Sequence, residues 1–430
     1  MNRIGPEAAP YIFNLAILLL ICLRWIAELW LSRLNRRYVL AHATEIPQAF
    51  RGVIDEPSYK KSVDYTLAKG KFSEMEDGYG MAVLVVFLFS GVLPWAFHLF
   101  SHGLSGSAWG MAAYLFAVGF VMSLPSLPFD WHAQFRLEQR FGFNTTTQKT
   151  WWMDRLKGLL LALLLGYPLL VLILKIVEWT GALWWLWAWA ALMVFQFLML
   201  VLAPVLIMPL FNKFTPLPEG SLRERLLGLA QRTQFRIQSI QLMDGSKRSR
   251  HSNAFFTGFG RFRKIVLFDT LVQQLTETEL EAVLAHEIGH YKKKHIPRML
   301  AFSAITSLAG FYVISVLARQ DWFYRAFGFQ PAAFNLQPSV IAPALLLFGL
   351  LAGTVTFWFS PVMHWRSRRY EYQADAFAAR VMNEAQSLVG ALRKLNEKNL
   401  SNLTPHPWYS GFYYSHPTLL EREQALIAKT

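Results

Sequence analysis

The residues of this chain best placed to do chemistry are His286-Glu287-Ile288-Gly289-His290. On a helix, positions i and i+4 lie on one face, so two imidazoles one turn apart could grip a single zinc ion. Zinc lowers the pKa of water it binds from about 16 toward 7, and the carboxylate of Glu287 could then accept a proton from that water. Three fixed residues make a short pattern, and a surface helix with two solvated histidines is the plain alternative. Context favours the metal. Thr276 with Glu279 three residues on fits a capping box that opens a helix running through Ala282, Leu284 and Ala285 into the motif. The start of that helix is too polar for a membrane span.

A catalytic zinc site usually takes a third protein ligand and leaves a fourth position for water. The single cysteine, Cys22, lies in an apolar run, so no disulfide can form within one chain and the ligands must be nitrogen and oxygen. A third histidine six residues on, preceded by a glycine, would define the metzincin pattern, but Lys293 and Ile296 stand at those places. His295, five residues beyond His290, points off the shared face and reads as solvated. Further on, Glu371 and Asp375 are again i and i+4 on a predicted helix. Glu371 would bind zinc, and Asp375 would accept the free ring N–H of a liganding histidine. The alternatives are an ordinary acidic pair beside Arg368 and Arg369, and His364 as the ligand instead.

These residues must be positioned by a membrane scaffold. The chain of 430 residues is 54% hydrophobic, and its apolar residues gather in runs near twenty long, the length that crosses a bilayer. Sixteen Trp fit that class, since Trp favours membrane interfaces. Seven spans are predicted, at 11–31, 79–100, 109–124, 159–177, 183–208, 299–317 and 339–359. The first is too long for a cleavable signal and is followed by Arg33, Arg36 and Arg37. The formal charge of +14 sits in alternate loops, which is the positive-inside pattern rather than a nucleic-acid footprint. The N-terminus is then outside, and the long polar segments fall on the cytoplasmic face. Four regions follow: a five-span membrane domain at 1–208, a segment carrying the histidine pair at 209–298, two further spans at 299–360, and a C-terminal segment at 361–430 that completes the zinc site. The first polar segment reads as a small α+β unit, with a helix at 220–235 and strands at 237–243 and 263–269.

The motif pair, together with Ser246-Lys247-Arg248-Ser249 through Asn253-Ala254, resembles the type I CAAX prenyl endopeptidase family of integral-membrane zinc proteases. Pro128-Phe129-Asp130, Glu138-x-x-Phe141-Gly142-Phe143-Asn144, and Ser415-His416-Pro417 with Glu421-Arg422 extend the resemblance over nearly the whole chain. It implies a mostly α polytopic membrane protein with a small gluzincin-like zinc protease domain on the cytoplasmic side, and seven helices around a water-filled chamber. It implies one zinc per chain on His286, His290 and Glu371, with Asp375 behind them. It also gives Asn253 and Ala254 the role of binding substrate backbone along an edge strand, His416 that of donating to the oxyanion, and Arg422 a place in the substrate site, paired with a carboxylate nearby. On spacing alone, Asn253 reads as a turn residue and His416 as a loop histidine before proline. The chain ends Ala428-Lys429-Thr430 with no endoplasmic-reticulum retrieval signal, and its polar insertions are short, so a bacterial homologue in the cytoplasmic membrane is expected.

The leading expectation is a zinc endopeptidase acting on peptides or proteins, with or without an attached lipid, in contact with membrane lipids. A quality-control protease of the HtpX type would use the same site. A transporter or lipid-binding protein with incidental histidines is the reading from a different class. It would hold no stoichiometric zinc.

Overall fold

The structure, a computed structural model, describes residues 8–104, 106–257, 263–330 and 337–428; the last two residues of the chain, part of the C-terminal sequence named above, lie outside these. It is mostly helical. Among the described residues, five helices are long and apolar enough to cross a bilayer, or six if a pair bent by 53° counts as one span. Large apolar side chains stand exposed along them, with Leu164 and Val194 each 69% exposed. An outer surface of that kind suits hydrocarbon rather than water.

Helix α1 (Ala8–Ala41) packs on α2 (Glu56–Phe89), and both are longer than a span. The span predicted at 79–100 is not one straight helix: Gly91, at φ 80°, breaks it, and α3 (Val92–Gly103) leaves at the 53° bend. Only a left-handed residue could turn the chain there, and glycine adopts that conformation without strain. Helix α4 (Ala108–Ser123) matches the third span, and the helical path does not stop where that span was expected to end, just before Pro125. A 3-10 turn holds the proline at its start, where a missing N–H costs nothing, and the helical path continues to Phe141. The helical run Gln148–Phe211, 64 residues long, contains α5 (Tyr167–Thr180) and α6 (Trp184–Leu202), which pack on each other across Gly181.

Beyond the membrane run lies a four-stranded sheet of order β1-β2-β4-β3. Strands β2 (Ser239–Met243) and β4 (Lys264–Phe268) pair in parallel where alternation predicted strands. Strands β1 (Phe214–Pro216) and β3 (Ala254–Thr257) are the antiparallel edges. The polar portion also holds α7 (Ser221–Arg232) and α8 (Glu277–Lys292); the spans α9 (His295–Leu317) and α10 (Pro338–Thr356) come next in the chain, followed by α11 (Ser360–Met382), α12 (Gln386–Lys398) and α13 (Leu419–Ile427). One apolar core, which includes Leu88, Tyr114, Trp184 and Ile341, binds the membrane helices together. A second, with Leu226, Ile265, Leu284 and Leu388, binds the polar portion.

The 138–144 stretch is the clasp between the two portions. Tyr65 donates to Glu138 at 2.6 Å, and Phe143 stacks on His251 at 4.1 Å. Asn144 bridges Ser249, and Arg248 forks onto Asp154 at 2.8 and 3.0 Å.

Helices α8 and α11 touch backbone to backbone. A Cβ built on Gly289 would lie 3.0 Å from Ala374 Cα and 3.1 Å from its carbonyl oxygen. The two small residues let the helices close to a distance that a larger side chain would forbid. Gly289→Val should therefore force them apart at a cost of about 1–3 kcal/mol, read as a lower thermal unfolding midpoint together with reduced metal content. Wild-type values for both would mean that the contact is not tight.

Candidate active site

Helix α8 is held from several sides. Its capping box is formed, with Thr276 N donating to Glu279 Oε2 at 2.8 Å and Glu279 N to Thr276 Oγ1 at 3.3 Å. Lys394 of α12 also donates to Glu279 at 2.7 Å. Glu281, one turn before the motif and buried, pairs with Arg225 and Arg232 of α7. Such anchoring leaves the first histidine of the pair buried against α11.

His286 Nδ1 lies 2.8 Å from Asp375 Oδ1. A carboxylate accepts, so the ring donates through Nδ1 and turns Nε2 toward the space between the helices. Asp375, 2% exposed, is in turn gripped by Arg422: Nε reaches Oδ2 at 2.8 Å and Nη2 reaches Oδ1 at 2.6 Å. That bidentate geometry is the strong form of a charge-assisted pair. Across the gap, His290 Nε2 is 3.1 Å from His286 Nε2 and 3.3 Å from Glu371 Oε1, and His286 Nε2 is 3.4 Å from Glu371 Oε2. One ligand atom from each of His286, His290 and Glu371 falls within 4.8 Å of the others. Among the described residues this is the one such group.

The donor set fits zinc. Two imidazole nitrogens and one carboxylate oxygen converge, and Glu371 Oε2 is buried with no hydrogen-bond partner. Acceptors this close repel one another unless a cation lies among them. Burial opposes charge on the His286 ring, but its hydrogen bond to Asp375 and the nearby Glu371 carboxylate outweigh that and lift the ring to about 9. The pocket thus favours positive charge, whether a proton or a metal ion supplies it. Glu287 has its carboxyl raised by burial, more than the two neighbouring imidazoles lower it, so it is a stronger base than a solvated glutamate.

The other expected site residues are placed as follows. His416 is exposed, with Nε2 3.5 Å from Glu371 Oε1 and Nδ1 3.0 Å from Ser415 Oγ. Asn253 sits exposed just before edge strand β3, which packs on α8; its side chain accepts from Ala254 N at 2.8 Å. Arg422 was expected to line the substrate site. Its expected pairing with a nearby carboxylate is found, with Asp375, at a position only 9% exposed and behind His286. His364 is not in the cluster; its Nδ1 meets the Phe412 carbonyl. His295 was expected in solvent but is 1% exposed, with Nδ1 3.0 Å from His290 Nδ1. The spacing argument failed because it assumed one continuous helix. Lys294 takes a left-handed conformation, φ 56° and ψ 37°, that ends α8 and starts α9 in a new direction.

Adjoining cavities of about 430, 480 and 420 Å³ run from Arg24 and Asp77 to His416 and Arg422, the first two sharing Glu76 and the last two sharing Ser401, Asn402 and Tyr414.

Residues 35–213 match a model described as the CAAX prenyl protease N-terminal region with five membrane helices, and residues 216–430 match peptidase family M48. The chain is 39% identical to CAAX prenyl protease 1 of Saccharomyces cerevisiae over 91% of its own length and 90% of the relative's. It is 30% identical to the CAAX prenyl protease 1 homolog of Homo sapiens over 94% of this chain and 93% of the relative. The crystal structure of S. mikatae Ste24p superposes with a TM-score of 0.88 at 37% identity, covering 96% of this chain and 98% of that one.

If the three convergent residues are the ligands, His290→Ala and Glu371→Ala should each lose the metal through dialysis, while wild type retains one zinc per chain. Asp375→Asn, which weakens the grip on His286, should bind zinc about 10–100-fold less tightly. Elemental analysis and chelator competition check both outcomes, and full zinc in Glu371→Ala would remove that residue from the set.

Proposed function

This chain belongs to the M48 peptidase family as an integral-membrane zinc metalloendopeptidase, and from that premise we propose that it cleaves C-terminal CAAX peptides, prenylated ones included. The single observation that carries the reading is the convergence of His286, His290 and Glu371 from two distant helices onto one point, in a chain alike along nearly its whole length to CAAX prenyl proteases.

His286, His290 and Glu371 would hold zinc, which when bound acts as a Lewis acid and acidifies water. Glu287 would take the proton from the attacking water and return it to the leaving amine. His416, solvent-facing and beside Glu371, would donate to the oxyanion that develops on the scissile carbonyl. Substrate backbone would add to the free edge of β3 near Asn253 and Ala254, an arrangement that main-chain hydrogen bonds favour. Arg422 and Asp375 would keep His286 in its donating tautomer.

The same reading takes the Gln148–Phe211 run as two passes and the bent α2–α3 pair as one, for seven passes in all. At about 1.5 Å per residue that run is long enough to cross twice, and the packing of α5 on α6 supports the hairpin. Residues 1–208 and 299–360 would form the membrane portion, with 209–298 and 361–430 building the protease portion. Loop charge favours the cytoplasmic side for the protease portion, and the cavities offer a lipidated peptide a route within the membrane.

Glu287→Gln should keep its zinc and lose nearly all turnover, by a factor on the order of 10² or more, because it removes the base without removing a ligand. Residual activity near wild type would dismiss the assigned mechanism. Purified enzyme should cleave a prenylated CAAX peptide in preference to digesting a misfolded membrane protein. The reverse preference would turn the substrate assignment toward quality control.

A further inference from the structure

Behind each of the two histidines lies a different partner. His286 is backed by the anionic Asp375, whereas the ring behind His290 is another imidazole. His295 Nδ1 faces His290 Nδ1 at 3.0 Å, and His295 Nε2 lies 3.0 Å from Gln373 Oε1. The ring is stacked on Tyr370 at 4.2 Å with planes 12° apart, and Arg366 Nε donates to the Tyr370 hydroxyl at 2.9 Å. His295 therefore has almost no freedom to rotate out of line.

The direction of these hydrogen bonds follows from the chemistry of their ends. The amide oxygen of Gln373 only accepts, so His295 Nε2 carries the hydrogen. A neutral imidazole protonated at Nε2 presents a lone pair at Nδ1. That lone pair accepts from His290 Nδ1–H, and His290 is left with its own lone pair on Nε2, the atom 3.3 Å from Glu371 and 3.1 Å from His286 Nε2. Every link has one donor and one acceptor, and the chain ends with a nitrogen prepared to bind a metal.

We infer that His295 is the positioning residue for His290: a neutral imidazole that accepts from His290 Nδ1–H, fixes its tautomer and aims its Nε2 at the zinc. Lys294 makes this possible. In an unbroken helix, residue 295 would lie about 500° around from residue 290, or 140° off its face. The left-handed turn at Lys294 resets that angle and returns the side chain to its neighbour. His295 touches neither zinc nor substrate in this assignment; it acts through His290. The inference rests on the metal-site reading above, but it concerns a residue outside the ligand set.

The test uses the full-length protein in detergent and reads zinc affinity by chelator competition. Cobalt(II) absorption reports the ligand field, and thermal unfolding of the metal-stripped protein reports the fold. His295→Asn sets an amide oxygen near the position of the lost Nδ1 and should hold zinc within a few-fold of wild type. His295→Gln reaches toward Gln373 instead, and His295→Phe keeps the stack on Tyr370 but accepts nothing. Both should bind zinc about 10–100-fold more weakly, with shifted cobalt bands. A role in packing alone predicts the opposite order, with Phe nearest to wild type. Phe binding zinc like wild type, or Asn as weak as Gln, would overturn the inference. If Phe does not fold, the Asn and Gln pair still decides it by which binds zinc more tightly. Wild type without stoichiometric zinc would instead defeat the parent reading.

Discussion

Everything at the site depends on one close approach, that of α8 to α11 at Gly289 and Ala374. The first helix ends just before one candidate span and the second starts just after another, so most of a hundred residues separate the halves of the candidate metal site. Contact at the level of backbone atoms puts Glu371 beside His286 and His290, and Asp375 behind them. A gap of even one side chain would leave a carboxylate and two imidazoles on separate surfaces. Loop closure over such a length costs only slowly more as the loop grows, but the site still needs rigid elements to hold its geometry. The membrane helices and the apolar core of the polar portion supply them.

Around that contact, hydrogen bonds run outward in two unlike chains. One is ionic: Arg422 holds Asp375, and Asp375 holds His286. The other is neutral and passes from Gln373 through His295 to His290. A buried carboxylate needs a counter-charge, which Arg422 provides from α13; a buried neutral imidazole needs only a donor and an acceptor. The C-terminal helix is thus part of the site although it contributes no ligand.

The clasp at Glu138, Phe143 and Asn144 explains why a motif so far from the histidines belongs with them. It ties the membrane portion to the loop that leads into β3, with His251 between Phe143 and Glu138.

Local pattern determined a good deal. The i and i+4 spacing of His286 and His290, and again of Glu371 and Asp375, requires only a helix, and the capping box at Thr276 and Glu279 shows where one begins. The apolar runs demand a membrane, and alternation is enough to find β2 and β4. These features depend on neighbours within a few residues, so they are legible in one dimension. Resemblance to a family brought in Asn253 and His416, which spacing alone left as ordinary loop residues. Other features were set only by the folded chain. The 90–91 break, the three-residue strand β1, the inward turn of Arg422 and the burial of His295 all depend on what lies across from them. A single left-handed residue, Lys294, rotates His295 from the face that helical arithmetic assigns it to the back of His290. No periodicity encodes such a turn, because its conformation is held by the packing of the two helices that it joins.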